Sequence, residues 1–294
     1  MDKDHIKGLV LTIVGVLVLT PDTLLIRLAA VDQWTLVFWR GSLMATVMLG
    51  YIVWQEGRGT AAAFVGIGRN GIIVGISYSL SFISFVAAVS YTGIANTLII
   101  LASAPMFAAI LGRFVLSETV PIRTILAIIV TFIGIFVVVT GDADAGENNL
   151  IGDLIALVTA AVMASAFVFV RRAKTTNMMP ATAIAGALAA VAAITFGSAS
   201  PFDLNQGQAI WVFLMGAVVL PISFGLLTLG PRYIPAPEVG LILLLETALG
   251  PLWVWLVLGE GANAQVLTGG AIVVTALTLH SIRGLQLNLA KRGS

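Results

Sequence analysis

Tyr91 to Glu118 reads Y-T-G-I-A-N-T-L-I-I-L-A-S-A-P-M-F-A-A-I-L-G-R-F-V-L-S-E, and Tyr233 to Glu260 reads Y-I-P-A-P-E-V-G-L-I-L-L-L-E-T-A-L-G-P-L-W-V-W-L-V-L-G-E. At an offset of 142 residues Tyr91 falls on Tyr233, Leu116 on Leu258 and Glu118 on Glu260, with an apolar run of helical length between the markers in both copies. Upstream, Ser81-Phe82 falls on Ser223-Phe224; with a slightly larger offset Gly8 falls on Gly152 and Arg27 on Arg171. The chain is duplicated, and a repeat of this length governs every later reading.

Composition places both copies in a membrane. Of 294 residues 59% are hydrophobic and 10% charged, and the mean hydropathy is +1.05; a soluble domain carries roughly 25% charge. Apolar runs near twenty residues recur, the length a helix needs to cross about 30 Å of hydrocarbon. Barrel strands alternate polar and apolar residues, which these runs do not. The fold class is therefore an all-α integral membrane protein. Ten transmembrane helices are expected, near 8–28, 35–54, 70–90, 95–116, 122–140, 150–170, 180–197, 208–229, 237–258 and 265–283. The first is too long for a signal peptide and lacks a small-residue cleavage site, so it reads as a retained helix. Residues 55–69 suggest a surface segment, with Arg58 and Arg69 at its ends.

Basic residues collect on the cytoplasmic side of such proteins. With the N-terminus inside, thirteen Lys and Arg fall inside, Arg27 alone falls outside, and Arg40 lies within the second span. The acidic stretch Asp142, Asp144, Glu147 then lies outside, and both termini are cytoplasmic. Five spans per half is an odd number, so the second copy enters the membrane from the opposite face. The expected organisation is a first five-helix repeat over 1–141, a periplasmic linker over 142–149 and a second, inverted five-helix repeat over 150–294. Inverted repeats that enclose a central site are the architecture of many secondary transporters. A duplicated structural or receptor-like membrane protein is the plainer alternative.

Ionisable residues inside a membrane are costly and mark candidate sites. Glu246 lies near the middle of the ninth span among Leu241 to Leu245, with no Lys or Arg expected at its depth. Out of water such a carboxyl stays neutral unless a cavity hydrates it or a cation pairs with it. It suits a proton-coupling site or a partner for a substrate ammonium; a protonated carboxyl bonded to a neighbouring helix is the structural alternative. Asp22 and Arg40 lie about 9 Å from the outer ends of adjacent spans, a depth that suits a buried ion pair with a gating or structural role. Pro21, Pro105, Pro221 and Pro251 sit inside spans, where a missing amide hydrogen frees a carbonyl and lets the helix bend.

The third span is rich in hydroxyls. Tyr78, Ser81, Phe82 and Phe85, at spacing i, i+3, i+4, i+7, share one face that offers rings and a few polar groups to a small molecule. Ser223 and Phe224 repeat the pattern in the second half, so the substrate-binding candidates are these six and Glu246. Gly71, Gly75 and Ser79 form a separate packing face. Trp34, Trp39 and Trp54 read as interfacial anchors, and Asn96 as a helix cap. Without Cys, and with His5 and His280 far apart, there is no metal-ligand cluster. No catalytic triad, phosphate loop or cofactor motif is present, so an enzyme and primary active transport are both disfavoured. A channel would show a repeated polar filter. With a net charge of +1 and no basic cluster, nucleic acid is not an expected partner.

The fourth helix, with Ala95, Leu98, Leu101, Pro105 and Phe107 and ending in Leu116-Ser117-Glu118, repeats as Leu258-Gly259-Glu260, with Pro251 displaced. In a ten-span inverted duplication this resembles the EamA group of the drug/metabolite transporter superfamily, over essentially the whole chain. P-D-T-L-L-I-R-L at Pro21 to Leu28 and F-W-R-G at Phe38 to Gly41 are similar to its aromatic amino acid exporters. The resemblance implies a bacterial inner-membrane location and export of aromatic and other apolar amino acids. It also implies alternating access around a central cavity lined mainly by spans 1, 3, 4, 6, 8 and 9. A proton-coupled multidrug or cation exporter is the alternative, which a lone Glu246 also suits. The partners expected are a small-molecule substrate and the lipid bilayer, with protons as a candidate coupling ion.

Because the chain has no native cysteine, single-cysteine variants report topology cleanly. Asp144→Cys and Lys174→Cys are expected to react with an impermeant maleimide from opposite sides of sealed vesicles; reaction from the same side would refute the inverted arrangement.

Overall fold

A computed structural model describes residues 3–117, 148–197 and 199–259, with single residues between 122 and 137 and between 267 and 279. The expected fifth and tenth spans lie largely outside the described residues. Glu118, residues 142–147, Glu260 and His280 lie wholly outside them.

The described elements are helical throughout. α1 (Lys3–Leu19) and α2 (Asp22–Ala29) make the first span, followed by α3 (Gln33–Glu56). A short surface helix, α4 (Thr60–Gly66), then leads into α5 (Gly68–Thr92), α6 (Ile94–Leu101) and α7 (Ala104–Val115). The second half holds α8 (Asn148–Arg172), α9 (Met179–Thr195) and α10 (Gln206–Phe213), the last continued by a π-helical segment, Leu214–Val219, into α11 (Leu220–Leu229). It closes with α12 (Ala236–Ile242) and α13 (Leu244–Leu258). Among the described residues seven helical stretches are long and apolar enough to cross a membrane, and α9 is a shorter apolar helix.

Three spans are interrupted, each for a visible reason. The first breaks at Thr20–Pro21, where the proline brings no amide hydrogen to the ladder. The fourth breaks where Ala102 and Ser103 reach back three residues, to the carbonyls of Ile99 (3.2 Å) and Ile100 (3.0 Å), tightening one turn just before Pro105. The ninth breaks at Leu243, whose carbonyl accepts from the Glu246 amide at 2.9 Å. At the repeat offset, Ala102 maps to Leu244, so these two breaks occupy matching positions. Pro251 does not make the second one: α13 runs on through it. Pro221 stands at the start of α11, directly after the π-helical segment, where the widened turn has already relaxed the ladder that its ring would clash with.

In lipid, helices associate through close packing, which small residues permit. α3 and α9 cross at Gly41 and Gly186, and the contact is reciprocal. A Cβ on Gly41 would lie 2.5 Å from the Gly186 carbonyl oxygen and 2.9 Å from the Ala190 nitrogen; one on Gly186 would lie 2.6 Å from the Gly41 oxygen and 2.9 Å from the Ala45 nitrogen. Gly8 is held against Tyr233 and Ile234, and its repeat mate Gly152 against Tyr91 and Thr92. Gly240 packs on Pro105, and the matching contact is a hydrogen bond from Thr247 Oγ1 to the Leu98 carbonyl at 3.1 Å. α5 lies along α8, and α1 along α11. Gly75 faces Ala181 and Ile184 of α9, so it does pack between helices, whereas Gly71 meets Ile67 of its own segment.

Gly41→Leu or Gly186→Leu forces apart two backbones already in contact. Each is expected to destabilise the detergent-solubilised protein by about 1–3 kcal/mol, read as a fall in its unfolding midpoint. Gly50→Leu, on the same helix with nothing within 4 Å, is expected to leave the midpoint within error.

Candidate functional site

Inside the bundle is a narrow, partly open cavity whose free space, about 330 Å³, includes solvent at its mouth. The first half contributes Leu19, Asp22, Arg40, Ser81, Phe82, Phe85 and Leu101; the second contributes Thr159, Met163, Phe224 and Glu246. The interrupted spans converge here. Asp22 opens α2 just after the Pro21 break, Leu101 closes α6 just before the Ala102 break, and Glu246 lies three residues past Leu243.

One wall is an ion pair. Arg40 donates through Nη1 to Asp22 Oδ1 at 2.9 Å and through Nη2 to Asp22 Oδ2 at 2.8 Å, a bidentate fork between a planar guanidinium and a carboxylate. Nη1 also approaches the Met215 sulfur at 3.0 Å, in the π-helical segment. Both side chains are nearly fully buried, and Arg40 Nε has no hydrogen-bond partner. Glu246, 4% exposed, lies within electrostatic reach of both members of the pair. The expectation that no cation shares its depth is therefore corrected. Counting from the ends of straight helices placed Arg40 nearer the outer surface, but a long side chain and the breaks at Pro21 and Leu243 bring the three charged groups to one chamber.

The opposite wall is aromatic. Phe82 and Phe224, repeat mates, meet edge to face with centroids 4.6 Å apart and planes at 86°, the geometry that ring quadrupoles favour. Tyr78 does not line the cavity. It is fully buried behind that pair, 5.2 Å from Phe224 and 6.3 Å from Phe167, and its phenol oxygen accepts from Thr228 Oγ1 at 3.3 Å. Ser223 also faces away, its hydroxyl donating to the Val219 carbonyl at 2.6 Å. Ser81 lines the cavity while donating to the Tyr78 carbonyl at 3.1 Å.

Four lining residues, Leu19, Leu101, Thr159 and Met163, were not among the substrate-binding candidates read from sequence, Leu101 having been noted only as part of the fourth-helix motif. Thr159 alone carried a signal, as a hydroxyl in an apolar span; it donates to Ser84 Oγ at 2.8 Å across the α5–α8 contact. Asn96 is not a cap: Gly93 precedes α6, and the Asn96 amide donates to Thr92 Oγ1 at 3.2 Å inside the bundle. Trp54 is widely exposed, whereas Trp39 is half-buried and donates through Nε1 to the Pro201 carbonyl at 3.0 Å. No group of three or more His, Cys, Asp or Glu that could hold a metal occurs among the described residues.

Comparison with known proteins agrees with this architecture. The chain is 24% identical over 210 residues to an uncharacterized transporter of Archaeoglobus fulgidus, covering 68% of this chain and 72% of that one. It is 31% identical over 108 residues to the uncharacterized transporter YyaM of Bacillus subtilis, covering 35% of this chain and a third of that one. A crystal structure 16% identical in sequence superposes with a TM-score of 0.66 over 94% of this chain and 97% of the other, so the two share a fold. The model of the EamA-like transporter family matches twice, over residues 6–140 and 150–282. The chain therefore belongs to the EamA-like transporter family and is a multi-pass membrane transporter.

Proposed function

We propose that the protein is a secondary transporter that exports small organic metabolites, aromatic and other apolar amino acids first among them, by alternating access around the central cavity. The observation that carries this reading is a chamber to which both halves contribute an aromatic ring and a carboxylate, Phe82 with Asp22 and Phe224 with Glu246. The reciprocal contacts at Gly41 and Gly186 support two inverted five-helix halves that rock about that crossing, and the ten-span count follows from the repeat. The same reading puts both termini in the cytoplasm, residues 142–149 outside, and the protein in a bacterial inner membrane. Phe82, Phe85 and Phe224 would stack on the substrate's apolar body, Ser81 would offer a hydroxyl, and Glu246 would meet its ammonium group. Tyr78 and Ser223 would support the aromatic wall from behind, and the Asp22–Arg40 pair would hold the first two spans together.

One observation favours the alternative, a proton-coupled exporter of drugs or organic cations. Asp22 already occupies both Nη groups of Arg40, so the formal charge of the three groups is −1 when all are ionised, and the group left to meet a substrate is Glu246.

Reconstituted into proteoliposomes, the protein is expected to catalyse saturable counterflow of labelled aromatic amino acids but not of cationic dyes. Glu246→Gln is expected to reduce counterflow at least roughly tenfold, the loss of one charge-assisted contact in a desolvated site. Dye transport driven by a proton gradient, without amino acid exchange, would establish the alternative. For the buried pair, Asp22→Ala alone is expected to cost about 3–5 kcal/mol by stranding the guanidinium. Adding Arg40→Ala should recover part of that stability; strictly additive losses in the unfolding midpoint would show that the pair is not coupled.

A further inference from the structure

The first and ninth spans, which bring Asp22 and Glu246 to the cavity, meet again at the end of the bundle that carries the N-terminus. There His5 of α1 faces Glu238 of α12, with Nε2 3.6 Å from Oε2. Arg171, in the last turn of α8, stands within electrostatic reach of the same carboxylate and donates to the Arg232 carbonyl at 3.4 Å; Arg232 in turn donates to the Lys174 carbonyl at 2.9 Å. Beside them Lys7 lies 4.9 Å over the Tyr233 ring, and Gly8 lets α1 approach Tyr233 and Ile234 closely. Among the described residues, the charged and titratable groups around His5 are thus Asp4 and Lys7 of its own helix, Glu238 of α12, Arg171 of α8, and Arg232 and Tyr233 of the segment before α12. Each half of the molecule supplies one side of the His5–Glu238 contact.

The repeat shows what is special about this end. At the offset of 142, Glu238 corresponds to Asn96, which joins Thr92 and, through the Thr92 hydroxyl at 2.6 Å, Asp153 of α8. The cross-half contact there is a hydroxyl on a carboxylate, Thr92 to Asp153, with the Asn96 amide behind it in its own half, where this end sets the Glu238 carboxylate against an imidazole. Histidine is the side chain whose charge changes within the physiological pH range, and the bridge to Glu238 exists only while the ring is protonated. Its strength therefore falls as the imidazole loses its proton.

We propose that His5 and Glu238, steadied by Arg171, form a protonation-dependent latch that holds the first and ninth spans together and keeps the cavity closed at the N-terminal end. Raising the pH releases the latch and admits solute there. This rests on the reading of the cavity as the transport site.

The test uses Ser81→Cys as a cavity reporter in the full-length protein in sealed vesicles, labelled from the N-terminal side with an impermeant maleimide at several pH values. Rates are normalised to those of an exposed cysteine in the surface segment after α3, Arg58→Cys, to remove the reagent's own pH dependence. With His5 present the normalised rate is expected to rise about two- to fivefold with pH, the range a partly exposed ion pair supports. In the His5→Gln background it should be high and flat, and in His5→Lys low and flat. Equal rates in all three backgrounds, or no labelling in His5→Gln, would overturn the latch. Protection of the cysteine by aromatic amino acids tests the transport site independently, so a failed latch and a failed site give different results. Thr159→Cys serves as a second reporter should Ser81→Cys prove unstable.

Discussion

The backbone contact between Gly41 and Gly186 constrains everything around it. A helix pair in lipid gains nothing from expelling water, so its stability depends on how closely the surfaces meet. Here each glycine lies against the other's carbonyl oxygen, which leaves no room for a side chain on either. The crossing brings α3, which carries Arg40, against the second half. Arg40 then reaches Asp22 on one side and Met215 on the other, so a charged residue of the first half is seated against the π-helical segment of the second.

That arrangement makes the cavity polar at a cost. Two desolvated ions repay their lost hydration only when geometry is favourable and each lone pair or proton is met. The Asp22–Arg40 fork meets most of this demand and leaves Arg40 Nε unmet. Glu246 stands close by, outside the fork, in a chamber otherwise walled by phenylalanine, leucine and methionine with the hydroxyls of Ser81 and Thr159. A chamber of this composition is suited to a solute with an apolar body and a polar head, more than to a bare ion, which would want rings of oxygen ligands.

Much of this was legible in the residues. Apolar length and low charge identify the spans, because hydrocarbon accepts little else. The duplication predicts that Phe82 and Phe224 lie close, and Asp22 and Arg40 betray themselves as charges with nowhere else to go. The errors have physical causes too. Tyr78 shares a helical face with Phe85 but lies seven residues, about 10 Å, further along the axis; periodicity shows the face and not the depth, and the cavity ends short of it. Ser223 satisfies its hydroxyl on its own helix, as serines in apolar spans commonly do. Leu19, Leu101 and Met163 line the cavity through the placement of breaks, and apolar residues in apolar helices carry no mark of that. The break at Leu243 was invisible because no proline makes it.

The π-helical segment Leu214–Val219 also sets the rotational phase of the eighth span. In an uninterrupted α-helix, residues nine apart, such as Met215 and Phe224, point in opposite directions, since nine steps of about 100° leave them half a turn out of phase. A π turn spends one extra residue on the same advance in angle, taking back about 100°. Met215 touches Arg40 and Phe224 borders the same chamber, and one surplus residue in the winding is what lets a single helix present both side chains inward.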